Sequence, residues 1–300
     1  MPIVPTAAAD LVTVRDLLRY GVSRFREAGL VHGHGASTAL DEAAYLILET
    51  LHLPLDQLDP YLDARLTLAE REAVVAVLHR RVETRKPAAY ITGKAYIRGL
   101  SFKVDERVIV PRSYIGELLL TEGLADVAGG MLDDPETVGA VLDLCTGSGC
   151  LALIAAQIFP RASVDAVDIS ADALAVAAQN VAEHPHGDRV TLHQGDLFAP
   201  VAGRRYDLIL CNPPYVSTAE MAVLPEEYRH EPAVALAGGE DGLDVVRRLI
   251  QAAPGHLLPG GALMCEVGTG RDAVEAAFPE LDLLWLDSEE ASGEVFWWQP

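Results

Sequence analysis

Asp143-Leu144-Cys145-Thr146-Gly147-Ser148-Gly149-Cys150 is the stretch that decides the fold. It closes an apolar segment, Ala140–Cys145, that reads as a buried strand, and it opens a helix over Gly149–Phe159. A glycine-rich turn between strand and helix lets backbone approach a ligand closely. Beyond it the pattern keeps alternating. Strands are expected at Ser163–Asp168, Arg189–Gln194, Tyr206–Cys211, Ala262–Val267, Leu281–Leu286 and Glu294–Trp298. Helices are expected at Ala171–His184, Leu243–His256 and Arg271–Phe278. Such alternation predicts an α/β fold with a mostly parallel sheet covered by helices on both faces. The last two strands have no helix between them, so they should form an antiparallel hairpin at one edge.

The loop itself chooses between ligands. A dinucleotide-binding turn wants a third glycine at position 152, where this chain has Ala152. Asp143, just before the loop, would oppose a pyrophosphate and favour a cation. S-adenosylmethionine carries a sulfonium and an ammonium and has no phosphate, so the loop favours it over a nicotinamide dinucleotide. Asp143, Thr146, Gly147 and Gly149 are the candidate contacts here. Asp168 ends the second strand and can accept ribose hydroxyls, with Ile169 beside it. Its other reading is a cap for the following helix. In Gly195-Asp196-Leu197-Phe198, Asp196 can accept from an adenine amino group, with Leu197 or Phe198 beside the ring. A plain turn aspartate is the alternative there.

Asn212-Pro213-Pro214-Tyr215 follows the strand Tyr206–Cys211. Neither proline has an N–H, and a residue before proline is pushed towards extended geometry. The Asn212 side-chain oxygen and the Pro213 carbonyl can therefore face one pocket as acceptors. That pair suits a planar NH2 group with two hydrogens to donate. Tyr215 offers an aromatic wall. A turn asparagine is the bland alternative. The tetrapeptide reads as a site for modifying an amide or amino nitrogen.

Bulk properties set the frame. The chain has 300 residues, 50% of them apolar, enough for about two domains. It shows neither an apolar run of membrane-spanning length nor a basic and apolar leader, which predicts a cytoplasmic protein. Its cysteines, Cys145, Cys150, Cys211 and Cys265, form no zinc spacing and read as buried small apolar residues. No metal is expected. The net charge is −21, and it is uneven. Residues 1–117 carry 15 basic and 15 acidic side chains, whereas residues 118–300 carry 8 and 29. An acidic domain repels nucleic acid and favours a basic protein partner, although solubility alone explains it equally well.

Residues 1–87 read as helices, over Val12–Ala28, Thr38–Leu51 and from the capping box Thr67-Leu68-Ala69-Glu70 to about Thr84. They carry no obvious chemistry, and are expected to form a substrate-recognition domain or simply to pack. Residues 88–111 read as a β-hairpin linker, with a turn at Arg98-Gly99 and an end at Pro111-Arg112. Gly129–Pro135 reads as a surface loop. Residues 112–300 would form the catalytic domain.

With these residues placed, the chain resembles the protein-(glutamine-N5) methyltransferases over nearly its whole length. The resemblance rests on the order of Pro-Arg entry, Asp-x-x-Thr-Gly-Ser-Gly loop, Val167-Asp168-Ile169-Ser170, Gly195-Asp196-Leu197-Phe198 and Asn212-Pro213-Pro214-Tyr215-Val216. Within the family, one branch acts on peptide-chain release factors and another on a large-subunit ribosomal protein, L-three. Three stretches are similar to the ribosomal branch: Val104 to Ser113, Asp143 to Cys150, and Leu224 to Pro232. The release-factor branch usually has glycine where Cys145 stands. Tyr114 departs from the branch's usual proline. The resemblance implies a class I S-adenosylmethionine-dependent methyltransferase, a Rossmann-like fold with a seven-stranded sheet. It implies N5-methylation of a glutamine in that ribosomal protein, with release-factor methylation as the alternative. Asn212 and the Pro213 carbonyl would accept the two amide hydrogens, and Tyr215 would wall the side chain. Asn212 would also face the cofactor, and Pro214 would complete the substrate contacts. The acidic run ending at Glu231 is expected to serve as a substrate loop, with a solvated face as the other reading.

Overall fold

The computed structural model describes residues 4–121, 134–287 and 292–300. The chain forms two compact units. One runs to Ala95 and takes in Pro225–His230; the other comprises Tyr96–Leu224 and Glu231–Pro300.

The first unit is helical: α1 (Val4–Asp10), α2 (Val14–Glu27), α3 (Ala39–Thr50), α4 (Leu68–Thr84) and α5 (Ala88–Thr92). Capping chemistry starts three of them. Thr13 and Thr67 form capping boxes with Asp16 and Glu70, and the Thr38 hydroxyl accepts from the Asp41 amide. Leu17, Phe25, Leu46, Ile47 and Leu78 fill the core between the helices. Pro225–His230 joins this unit through Glu227, which is fully buried. Its Oε1 accepts from the Val31 amide at 3.0 Å and from Arg85 Nη2 at 2.6 Å. Arg81, also fully buried, donates to Glu42 at 3.1 Å. Buried charges persist only when paired in this way.

The stretch read as a hairpin linker begins differently. Pro87 and Gly93 bracket the short helix α5, so Tyr90 and Ile91 are helical rather than extended. Gly93 takes a left-handed φ of 75° as the helix stop. The hairpin proper is β1 (Lys94–Ile97) and β2 (Leu100–Lys103). α6 (Tyr114–Leu120) follows, a helix that the sequence pattern leaves unread. Residues 129–133 of the expected surface loop lie outside the described residues. Asp134 caps a single turn at Pro135–Thr137.

The second unit holds a seven-stranded sheet. Its strands are β3 (Ala140–Leu144), β4 (Ser163–Asp168), β5 (Val190–Gln194), β6 (Tyr206–Cys211), β7 (Leu257–Glu266), β8 (Leu284–Asp287) and β9 (Ser292–Trp298). Their order is β5-β4-β3-β6-β7-β9-β8. The first five of these neighbours run parallel, and β9 pairs antiparallel with both β7 and β8. α7 (Cys150–Ile158), α8 (Ala171–Glu183), the short α9 (Thr218–Met221), α10 (Asp244–His256) and α11 (Arg271–Ala277) complete it. Strand residues alternate between two cores. Val141, Leu208, Leu210 and Met264 pack on one face with α7, and Leu142, Leu144, Ile209 and Leu263 pack on the other with α10. The sheet order changes direction at β3, between β4 and β6. Open α/β sheets bind ligands outside the carboxyl ends of the strands at such a switch point.

Candidate active site

A cavity of about 230 Å³ opens at this switch point. Gly147, Asp168, Ile169, Asp196, Leu197 and Asn212 line it, placed by the ends of four strands or the loops that follow them. Pro214 lines it too. These are sequence-predicted candidates brought together from β3, β4, β5 and β6.

The strand ends explain the placement. Asp168 closes β4, and its Oδ2 accepts from the Gly147 amide at 2.9 Å while Oδ1 accepts from the Ser170 amide at 2.8 Å. The β3 loop is thus tied to the β4 end. Burial raises the Asp168 pKa above its ordinary value, and the Ser170 and Gly147 amides pull against it. The helix cap is a different residue: the Ser170 hydroxyl accepts from the Ala173 amide. Each Asp168 oxygen keeps lone-pair capacity for a hydroxyl ligand. Asp196 is held by Arg248, whose Nη2 donates at 2.7 Å. Leu197 and Cys145 take left-handed φ values of 46° and 58°. Both line the cavity, and strained backbone gathers at functional sites.

Other candidates sit behind the wall. Asp143 is fully buried and does not line the cavity. The β3 alternation turns it towards α7, where Oδ2 accepts from Thr146 Oγ1 at 2.5 Å and from the Ala152 amide at 3.0 Å. Its Oδ1 is buried without a hydrogen-bond partner. Desolvation pushes its pKa up to about 7. Thr146 therefore acts on Asp143 and shapes the loop. Gly149 has φ 80° and backs onto Ala177, 3.3 Å from where a Cβ would stand. Pro213 is buried, and neither it nor Tyr215 lines the cavity. Tyr215 packs its ring against Gly268, where a Cβ would come within 2.7 Å of Cε2. Burial and the nearby Glu266 charge raise the Tyr215 phenol pKa.

Glu231, the end of the acidic run, has a structural tie of its own. It is buried, and its carboxylate is spent on protein partners: Arg112 Nη1 and Nη2 donate at 2.5 and 2.8 Å, and the Val110 amide at 2.9 Å. It holds together two cavity walls that the motifs did not reveal, Arg107–Ile109 on one side and Pro232–Ala237 on the other. The second wall is laced to the residue after Tyr215. The Val216 amide donates to Leu236 O, and the Gly238 amide donates to Val216 O, both at 2.8 Å. Val245 and Arg248 from α10 complete the lining. Proximity to the Glu231-Pro232 pair was the one signal for the second wall. The first lies in the family-like stretch Val104 to Ser113 and α10 is expected as a helix, but neither reads as part of a site.

The donor set fits S-adenosylmethionine. Two carboxylates, Asp168 and Asp196, suit hydroxyl and amino donors, and Val167, Ile169, Leu197 and Val245 offer an apolar slot for an aromatic ring. Asp143 Oδ1, at the same end of β3, is buried with no hydrogen-bond partner. Among the described residues no group of His, Cys, Asp and Glu could hold a metal ion.

Comparison with known proteins gives the family. Residues 128–226 match the family model of the methyltransferase small domain. The ribosomal protein uL3 glutamine methyltransferase of Bradyrhizobium diazoefficiens is 59% identical, over 96% of this chain and 91% of its own. The protein of the same name from Bordetella pertussis is 57% identical, over 95% and 94%. Among solved structures, the hMettl16 catalytic domain in complex with MAT2A 3'UTR hairpin 1 shares the fold, at a TM-score of 0.50 and 15% identity, over 86% of this chain and 91% of that one. The fold is that of class I methyltransferases. The chain belongs to the ribosomal protein uL3 glutamine methyltransferase family.

Proposed function

We propose that this protein transfers a methyl group from S-adenosylmethionine to the side-chain N5 of a glutamine in ribosomal protein uL3. One observation carries the reading: 59% identity to a uL3 glutamine methyltransferase extends over 96% of the chain, helical unit included. The placement of Asn212 on the cavity wall supports it from the structure.

When bound, S-adenosylmethionine supplies an electrophilic methyl on a sulfonium. Asp168 and Asp196 would hold its hydroxyl and amino groups. The apolar slot would hold its ring. The protein's task is then to present a poor nucleophile, because an amide lone pair is delocalised into its carbonyl. The Asn212 side-chain oxygen and the Pro213 carbonyl accept the two amide hydrogens of the glutamine. That aims the nitrogen and favours positive charge building on it. Positioning is worth roughly 7–11 kcal/mol at best, and each placed acceptor adds about 3–4 kcal/mol. No strong base is required before transfer; the proton leaves afterwards. Tyr215 walls the glutamine side chain. The N-terminal helices serve substrate recognition in this reading, and the net charge of −21 suits a basic ribosomal protein. No helix among the described residues is long and apolar enough to cross a membrane. In this reading the work is cytoplasmic, because the proposed substrate is ribosomal.

The test is intact-mass analysis of purified uL3 after incubation with enzyme and S-adenosylmethionine, with a peptide-chain release factor in parallel. A single methyl increment on a uL3 glutamine, and none on the release factor, is the expected result. Methylation of the release factor alone would refute the substrate assignment.

A further inference from the structure

The end of β7 carries a buried carboxyl that plays no part in the chemistry above. Glu266 is 1% exposed. Strand register sets Cys211 beside Cys265. Glu266 follows Cys265 in the chain as Asn212 follows Cys211, so the two stand at the same end of adjacent strands. Its Oε2 accepts from Ser113 Oγ at 2.6 Å and from the Tyr114 amide at 2.9 Å. These two residues open α6. Two positions after Glu266, Gly268 turns with φ 53° directly against the Tyr215 ring. The turn leaving Glu266 is therefore the seat of Tyr215. Arg112 and Tyr114 from the α6 entry, Glu294 from β9, and Tyr215 itself are the charged and titratable groups that face this cluster.

We propose that Glu266 is a positioning residue for methyl transfer: it ties the α6 entry to the end of β7 and so fixes the seat of Tyr215 and the rim at Asn212. The inference rests on the reading of Asn212–Tyr215 as the glutamine site.

The donors aimed at Glu266 suit its ionised form. A carboxylate accepts from the Ser113 hydroxyl and the Tyr114 amide with no proton of its own in competition. Burial pushes its pKa up to about 7, with the Ser113 and Tyr114 hydrogen bonds and the Arg112 charge pulling the other way. The grip therefore tightens as pH rises through about 7, and kcat rises with it. Glu266 does not line the cavity. Affinity for S-adenosylhomocysteine should not follow the same step.

The experiment measures kcat for uL3 methylation from about pH 6 to about pH 9, with S-adenosylhomocysteine affinity by calorimetry alongside. The proteins are wild type, Glu266→Gln, Ser113→Ala and Glu294→Gln. Wild type and Glu294→Gln should show a rise in kcat centred near 7. Glu266→Gln should keep its ligand affinity, lose the step and run about tenfold slower on the alkaline side. Ser113→Ala loses a bond that holds the Glu266 pKa down, so its step should move to higher pH. It also serves as the test should Glu266→Gln fail to fold. A step that survives Glu266→Gln, vanishes in Glu294→Gln or stays unmoved in Ser113→Ala overturns the inference while the wild type still methylates uL3. A wild type that leaves uL3 unmodified overturns the functional reading instead, and this inference with it.

Discussion

Arg112 and Glu231, 119 residues apart in sequence, meet in a two-bond ion pair at 2.5 and 2.8 Å. Glu231 also takes the Val110 amide, so one buried carboxylate joins two walls of the cavity. Removing its charge takes from Arg112, only 23% exposed, the carboxylate that it holds with two bonds. Glu231→Gln should cost roughly 2–4 kcal/mol of stability, towards the lower range for a broken buried pair. It should also weaken S-adenosylhomocysteine binding, because Arg107–Ile109 and Pro232–Ala237 lose their common anchor. Thermal unfolding and calorimetry check both. A stable variant with normal affinity would show that the pair is ornamental to the cavity.

In the proposed mechanism Asn212 is the acceptor on which transfer depends. Asn212→Ala should lower kcat on the order of 10²-fold or more. Ligand binding should fall far less, because Asp168, Asp196 and the apolar slot remain. A paired kcat and calorimetry measurement separates the two effects. Near-normal turnover would remove Asn212 from the mechanism.

Much of this was legible in the sequence because it is local. The strand and helix alternation, the loop after β3 and the rigid Asn212–Tyr215 all follow from short-range patterns. What escaped depends on distance or on alternation of faces. The Glu231 carboxylate pairs with a residue 119 positions away, a tie that no short-range pattern shows. Asp143 has the right chemistry for a cationic ligand, but the strand period turns it to the α7 face. The five-residue α5 is too short to show a helical period, and Tyr90, Ile91 and Thr92 are strand-favouring types. Only Pro87 and Gly93 marked its ends.

Cys145 explains itself through backbone geometry. At φ 58° it occupies a region where a side chain is strained and glycine is not. Cys145→Gly should therefore be close to neutral, gaining about 1 kcal/mol from the backbone and losing a similar amount in packing. Cys145→Val adds a β-branched side chain to the same backbone and should cost about 2 kcal/mol or more. Chemical denaturation of the two variants gives the comparison. Equal stability would mean that the strain at this turn is relieved elsewhere.

Stability should also rise as pH falls through the neutral range, and Asp143 gives the sign. Burial moves its pKa from an ordinary 3.8 to about 7, against the pull of Thr146 and the Ala152 amide. Above 7 it is ionised in both folded and unfolded states. Between about 7 and 4 the folded state takes up a proton that the unfolded chain does not, and folding is favoured. Glu266, moved from 4.5 to about 7 by burial, acts in the same direction. Asp165 acts in the opposite one. Burial raises its pKa, but hydrogen bonds from Arg204, His193 and Tyr206 outweigh that and hold it below its usual value. Its contribution is lost only in acid, below about 4. The two windows do not overlap. Unfolding free energy measured from pH 8 down to pH 5 should therefore increase in the wild type. Asp143→Asn lowers the whole curve by leaving a buried amide N–H unpaired, and it should flatten the slope. A wild-type curve with no slope in that window, or an unchanged slope in Asp143→Asn, would mean that Asp143 stays ionised in the folded protein.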